Sequence, residues 1–189
     1  MADRSAIAEL LDKMSGEREA LLAEAQAITE AAASRSRPDA KGEAQWSVKE
    51  QLAHLAEMET NYRAWVQRAL EVDGVDVSHV QGERPAVSLT EANRHSVAEL
   101  VDQLREQRAI TVALIESMAP EQFERRASQP MFGSLTVMQW LRSYYRHDRM
   151  HRDQIAGRDP EYKPRFVDGN EPDQRRTAAT HRPDERTDP

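Results

Sequence analysis

The chain has 189 residues, with 26 Lys and Arg against 33 Asp and Glu, and a formal net charge of −7. Its 39% apolar and 31% charged residues supply one core, and the length suits one domain with a tail. Only 7 Gly, 3 Trp, 4 Tyr and 3 Phe argue against an all-β sandwich, and the absence of Cys excludes disulfides, thiolate metal sites and a cysteine nucleophile. No apolar run approaches the about 18 residues of a membrane span. No apolar stretch follows Met1-Ala2-Asp3-Arg4 in the manner of a signal peptide. The acidic, mixed-charge composition points away from nucleic acid. A soluble, cytoplasmic, helical protein without membrane or nucleic-acid partners is expected.

Four segments carry helical periodicity and none carries a strand pattern. The first runs from about Arg4 to Ala33 through Ile7, Leu10, Leu11, Met14, Leu21, Leu22 and Ile28, and is broken by the stretch around Pro38. The second runs from about Ser47 to Val72, opens on a capping box of Ser47 and Glu50, and shows Leu55, Met58, Tyr62, Val66 and Ala69 on one face. Asp73-Gly74 ends it, and residues 73–89 form a long connection with Gly74, Gly82 and Pro85. The third helix is expected from Thr90 to about Met118. Pro120 and Pro130 bracket a second connection. The fourth helix runs from about Leu135 to Ala156, with Gly157 in the C′ position. This is an all-α, four-helix bundle over residues 1–157. Residues 158–189 hold 5 of the 9 prolines and few apolar residues beyond Tyr162, Phe166 and Val167. They read as a charged, Pro-rich, largely disordered tail.

Three of the six histidines fall in informative places. At about 100° per residue, His147 and His151 lie within about 40° of each other on the fourth helix, on the arc of Val137, Trp140, Tyr144 and Ile155. Imidazoles one turn apart can share an ion. His54 borders the apolar face of the second helix, beside Met58 and Trp65. It lies roughly 10 Å from the start of its helix, and His151 lies about 9 Å from the end of its own. The three rings therefore reach one level if these helices are antiparallel. The long connection spans a helix length at about 3.3 Å per residue and lets the second and third helices run parallel. Spacing alone leaves two readings open, a three-histidine metal site and satisfied core histidines.

Glu50, Glu57, Asp148 and Gln154 are placed to orient these imidazoles, against the plainer reading of each as a solvated helix-surface residue. Arg108 interrupts the apolar stripe of the third helix and Arg18 lies near that of the first; one of them would hold a substrate carboxylate, the other reading being a solvent-exposed edge position. His79, His95 and His181 receive no site role, and Trp46 is expected at the mouth of the bundle.

Trp46-Ser47-Val48-Lys49-Glu50-Gln51-Leu52-Ala53-His54-Leu55 resembles the W-[ST]-x-x-x-x-L-x-H-L stretch of the DinB/YfiT-like family. Gly133-Ser134-Leu135-Thr136, with His147-Asp148, His151 and Gln154-Ile155, resembles its closing helix. The resemblance implies an up-down-down-up bundle with a long crossover between helices 2 and 3. It also implies a divalent metal on His54, His147 and His151, and often a homodimer. Characterised members of the family include transferases and isomerases that use low-molecular-weight thiols such as mycothiol or bacillithiol, and others resemble hydrolases. Three neutral imidazoles suit Zn, Ni or Fe better than Mg or Ca and leave positions open for a small-molecule substrate. A metal-dependent thiol transferase is therefore expected. The alternatives are a hydrolase using metal-bound hydroxide and a non-catalytic helical binding protein. Since the chain has no Cys, any thiol must be a cosubstrate.

Overall fold

The computed structural model describes residues 2–163 and 174–175. The tail expectation falls mostly outside them, as do Phe166 and Val167. The long helices are α1 (Arg4–Gln26), α3 (Val48–Glu71), α4 (Val97–Ser117) and α5 (Val137–Ile155), with a single turn, α2 (Glu30–Ala33), after the first. Each long helix starts on a side-chain cap. Asp3 accepts from Ala6 N–H at 2.8 Å, and capping boxes join Ser47 with Glu50, Ser96 with Glu99 and Thr136 with Gln139. Gly157 follows α5 at φ +71°, the left-handed turn that a glycine takes without strain.

Three expectations need correction. The first predicted helix does not reach Ala33 unbroken: Thr29 turns extended and caps α2 by accepting from Ala32 N–H. The helix expected from Thr90 begins at Val97, because the Ser96–Glu99 capping box prevails and residues 92–94 form only a 3₁₀ turn. Short strands also exist: β1 (Val75–Asp76) pairs in parallel with β2 (Arg126–Gln129), which forms an antiparallel hairpin with β3 (Gly133–Thr136). Strands of two to four residues are too short to show a period. A further short pair, β4 (Tyr162–Lys163) with β5 (Gln174–Arg175), follows α5.

Side-chain pairings set the helix directions. Lys13 lies over Tyr145, Glu17 bonds Arg149 and Glu24 bonds Arg158, so α1 and the α5 end of the chain run parallel. Glu59 meets Arg108 and Arg63 meets Thr111, so α3 and α4 are also parallel. Arg18 bonds the Leu104 carbonyl while Arg108 bonds that of Met14, which makes α1 and α4 antiparallel. The path is up-down-down-up. The crossover between α3 and α4 runs back along α3: Trp65 Nε1 donates to the Val80 carbonyl, Gly82 N–H to Asn61 and Leu89 N–H to Glu57. Gly82 presses so close that a Cβ there would stand 2.2 Å from the Thr60 carbonyl carbon.

The apolar core falls into two clusters. One holds Met14, Tyr62, Trp65, Phe123, Phe132 and Trp140 and is closed by the small sheet. The other holds Leu21, Leu22, Leu52, Leu55, Leu100 and Leu104. Between them four buried charges, one from each long helix, bond to one another: Arg18, Glu59, Arg108 and Asp148. Arg18 bonds Glu59 at 2.6 Å and Asp148 at 3.0 Å; Arg108 bonds Glu59 at 2.8 Å and Asp148 at 2.9 Å. With two cations and two anions the layer is neutral, and every guanidinium faces a carboxylate. Arg18 and Arg108 are thus not exposed edge residues.

Candidate metal centre

The site lies at the end of the bundle away from the three-stranded sheet, where the start of α3 meets the end of α5. His54 comes from α3, and His147 and His151 from α5. Because α3 and α5 are antiparallel, the three rings reach one level. The ring centroids are 5.1 Å apart for His54 and His147, 5.4 Å for His54 and His151 and 4.7 Å for His147 and His151. His151 and His147 approach Nε2 to Nε2 at 3.0 Å.

A fourth donor comes from outside the helices. Residues 42–45 form a 3₁₀ turn ahead of α3, and Glu43 on it points Oε1 to within 3.5 Å of His54 Nε2 and Oε2 to within 3.6 Å of His151 Nε2. Ligand atoms of Glu43, His54, His147 and His151 all lie within 4.8 Å of one another. Two donors on one tetrahedral ion with bonds of about 2.0–2.1 Å stand about 3.3 Å apart, so these spacings suit a shared ion. His54 Nε2 is buried without a hydrogen-bond partner, an orphan that an ion would satisfy.

The loop is held over the site by its own bonds. Arg37 donates to the Gln154 carbonyl, which also accepts from Gly157 N–H at 3.0 Å, and, at 2.7 Å, to that of Ile155, so it grips the end of α5. Trp46 packs edge-on against His54 at 4.9 Å. Gln51, one turn before His54, bonds His151 Nδ1 through Oε1 at 3.0 Å.

Electrostatics keep the imidazoles neutral. Burial, with His147 nearby, lowers the His54 pKa to about 3, and burial with Arg18 lowers that of His147 to about 3. Burial and both neighbouring rings push His151 well below the ordinary value. Burial raises the Glu43 carboxyl instead. Neutral imidazole is the form that binds metal.

Of the four residues proposed from sequence to orient the rings, three are engaged elsewhere. Glu50 accepts from Ser47 N–H, Glu57 from Leu89 N–H, and Asp148 belongs to the charged layer. Gln154 works weakly against the depression of His151, but its side-chain oxygen is buried without a hydrogen bond. Glu43 and Gln51 were missed. Glu43 sits in a loop without periodicity, and Gln51 lay unremarked inside the Trp46–Leu55 motif.

The sequence profile of the DinB superfamily matches residues 13–155. The chain belongs to the DinB superfamily. Among solved structures, this DinB chain is similar to YfiT from Bacillus subtilis, described as a probable metal-dependent hydrolase with an unusual four-helix bundle topology. The TM-score is 0.66 and the identity 15%, over 83% of this chain and 87% of that one. It is also similar to the mycothiol-dependent maleylpyruvate isomerase, at TM-score 0.60 and 9% identity over 79% of this chain. A histidine-to-alanine mutant of that enzyme matches equally, at TM-score 0.60 and 8% identity. The match spans 60% of the isomerase's length. At these identities the likeness is one of fold. No curated protein matches the chain. Among the described residues, no helix is long and apolar enough to cross a membrane.

Proposed function

We propose that this protein is a metal-dependent hydrolase in which His54, His147 and His151 hold a divalent transition ion and Glu43 handles the proton of the reaction. The observation that carries the reading is the convergence of four ligand atoms within 4.8 Å, one of them the buried, unpartnered Nε2 of His54. Three imidazoles favour Zn, Ni or Fe over the oxygen-seeking Mg and Ca. When bound, such an ion supplies Lewis acidity and makes a water or thiol acidic near neutral pH.

The chain's own residues do the rest. Glu43 stands at the open side, its side chain 35% exposed against 13% for His54 and 0% for His151. Its raised pKa suits a general base that takes the proton of the attacking water and returns it to the leaving group. Attack forms the new C–O bond as the ester or amide bond of the substrate breaks. Trp46 and the buried rings limit solvent around the donors. The description of YfiT, matched over 87% of its chain, as a probable metal-dependent hydrolase supports this reading.

Thiol transfer is the second reading, favoured by the likeness to a mycothiol-dependent enzyme. There Glu43 takes the proton of a cosubstrate thiol, since this chain has no Cys. The family resemblance adds a homodimer, which light scattering of the purified protein tests.

The test is to strip the protein, reload it with Zn²⁺, Ni²⁺ or Fe²⁺, and assay ester and amide hydrolysis alongside consumption of mycothiol or bacillithiol with electrophiles. Turnover of water-labile substrates without thiol supports the hydrolase. Activity only with thiol moves the assignment to a transferase. Failure to take up any ion leaves a non-catalytic helical binding protein.

A further inference from the structure

Gln51 is 1% exposed and spans two elements of the site. Its amide nitrogen donates to the Trp46 carbonyl at 3.1 Å, and its oxygen faces His151 Nδ1 at 3.0 Å. The Trp46 carbonyl can only accept, so the amide has one orientation, with Oε1 toward the ring. Oε1 in turn can only accept, so His151 must present Nδ1–H. A neutral imidazole carries a single N–H. Its Nε2 therefore bears the lone pair.

We infer that Gln51 is a positioning residue that fixes His151 as the Nδ1–H tautomer and so aims the Nε2 lone pair at the point where Glu43, His54 and His147 converge. The inference rests on the three-histidine reading of the site. It has a corollary for His147, whose Nε2 lies 3.0 Å from that of His151. With a lone pair on His151 Nε2, metal-free His147 must donate Nε2–H into it. An ion replaces that hydrogen bond, and His147 then carries its proton on Nδ1. Gln51 also ties the tautomer to the loop, because the carbonyl it holds belongs to the residue packed on His54.

The first test is long-range ¹H–¹⁵N correlation on metal-free protein labelled at histidine, with His147 and His151 assigned from His147→Gln and His151→Gln. His151 is expected as Nδ1–H and His147 as Nε2–H. In Gln51→Leu, His151 should lose its single tautomer while circular dichroism stays helical. An Nε2–H form of His151 in the wild type, or an unchanged tautomer in Gln51→Leu, overturns the inference. The wild-type spectrum decides even if Gln51→Leu does not fold.

The second test is Ni²⁺ titration. Gln51→Leu should bind about 10- to 100-fold more weakly, and Gln51→Glu, which keeps the acceptor for His151 but loses the donor to the Trp46 carbonyl, should recover part of the loss. Equal affinity in wild type and Gln51→Leu overturns the inference. Wild-type protein that takes no Ni²⁺ while His151 remains Nδ1–H overturns the metal reading and leaves the tautomer lock standing.

Discussion

Arg18 on α1 and Asp148 on α5 face each other through two parallel hydrogen bonds, Nε to Oδ2 and Nη2 to Oδ1, each 3.0 Å long. Both side chains are at least 97% shielded from solvent, 3% and 1% exposed. This fork pairing closes the charged layer on the side opposite Glu59 and Arg108. Removing Arg18 leaves two buried carboxylates to share the single cation of Arg108. Arg18→Met should cost about 3–5 kcal/mol in urea unfolding, because an unpaired buried charge is far more costly than a surface one. Replacing all four charges with apolar residues of matching volume should cost less than that single change. A loss below about 1 kcal/mol in Arg18→Met would show the layer to be wet.

The same layer gives a pH dependence. Burial alone would raise the Glu59 carboxyl, but Arg108 and Arg18 overcome it and bring its pKa down to about 2. A depressed carboxyl adds stability that is present above the unfolded value near 4.5 and is lost as pH falls toward 2. The loss amounts to about 3 kcal/mol over that window. In Glu59→Gln this segment of the stability profile should flatten, and guanidinium melts at pH 5, 4 and 3 read it directly.

Substituting a ring should separate metal from fold. His147→Ala and His151→Ala are expected to weaken Ni²⁺ or Zn²⁺ binding by more than about 100-fold, beyond the loss typical of an outer-shell change. Helicity should stay near that of the wild type, since the apolar clusters are built from other residues. Unchanged stoichiometry by elemental analysis would remove the three-histidine site.

Glu43→Gln separates binding from proton handling. The ion should still bind through three imidazoles. Turnover by the metal-loaded protein should fall about 10²- to 10⁴-fold, the usual share of a general base. Loss of the metal along with activity would instead make Glu43 a ligand above all.

The crossover is sensitive at one point. Gly82→Ala brings a methyl group to 2.2 Å from the Thr60 backbone, which cannot yield as a flexible side chain would. A cost of about 1–3 kcal/mol is expected from the overpacking, and hydrogen exchange should show the strap of residues 80–89 opening first.

What the sequence revealed and hid follows the range of each interaction. The capping box of Ser47 and Glu50 and the terminal Gly157 are local, and they place α3 and the end of α5 to within a residue or two. The helix expected to open at Thr90 opens instead at Ser96, whose reciprocal partner Glu99 completes the capping box. Arg18 and Arg108 looked like edge residues because their partners lie on other helices. The i, i+4 pair of His147 and His151 was legible as geometry within one helix, and His54 entered through depth along another. Glu43 arrives from an irregular loop, where no period announces a side chain's direction.

The antiparallel meeting of α3 and α5 has a consequence for how the chain holds together. Gln51 and His151, bonded to each other, are 100 positions apart in sequence. An ion on His54, His147 and His151 would act as a reversible clasp on a very large chain loop, tying the last long helix to the second. Its stabilisation would grow with free-metal concentration as RT ln(1 + [M]/Kd). It would also vanish as soon as α5 peels away, since neither His54 alone nor the α5 pair alone keeps the full donor set. Metal supply would then set how often the C-terminal helix opens, and resistance to proteolysis near residue 157 would report the ion's presence.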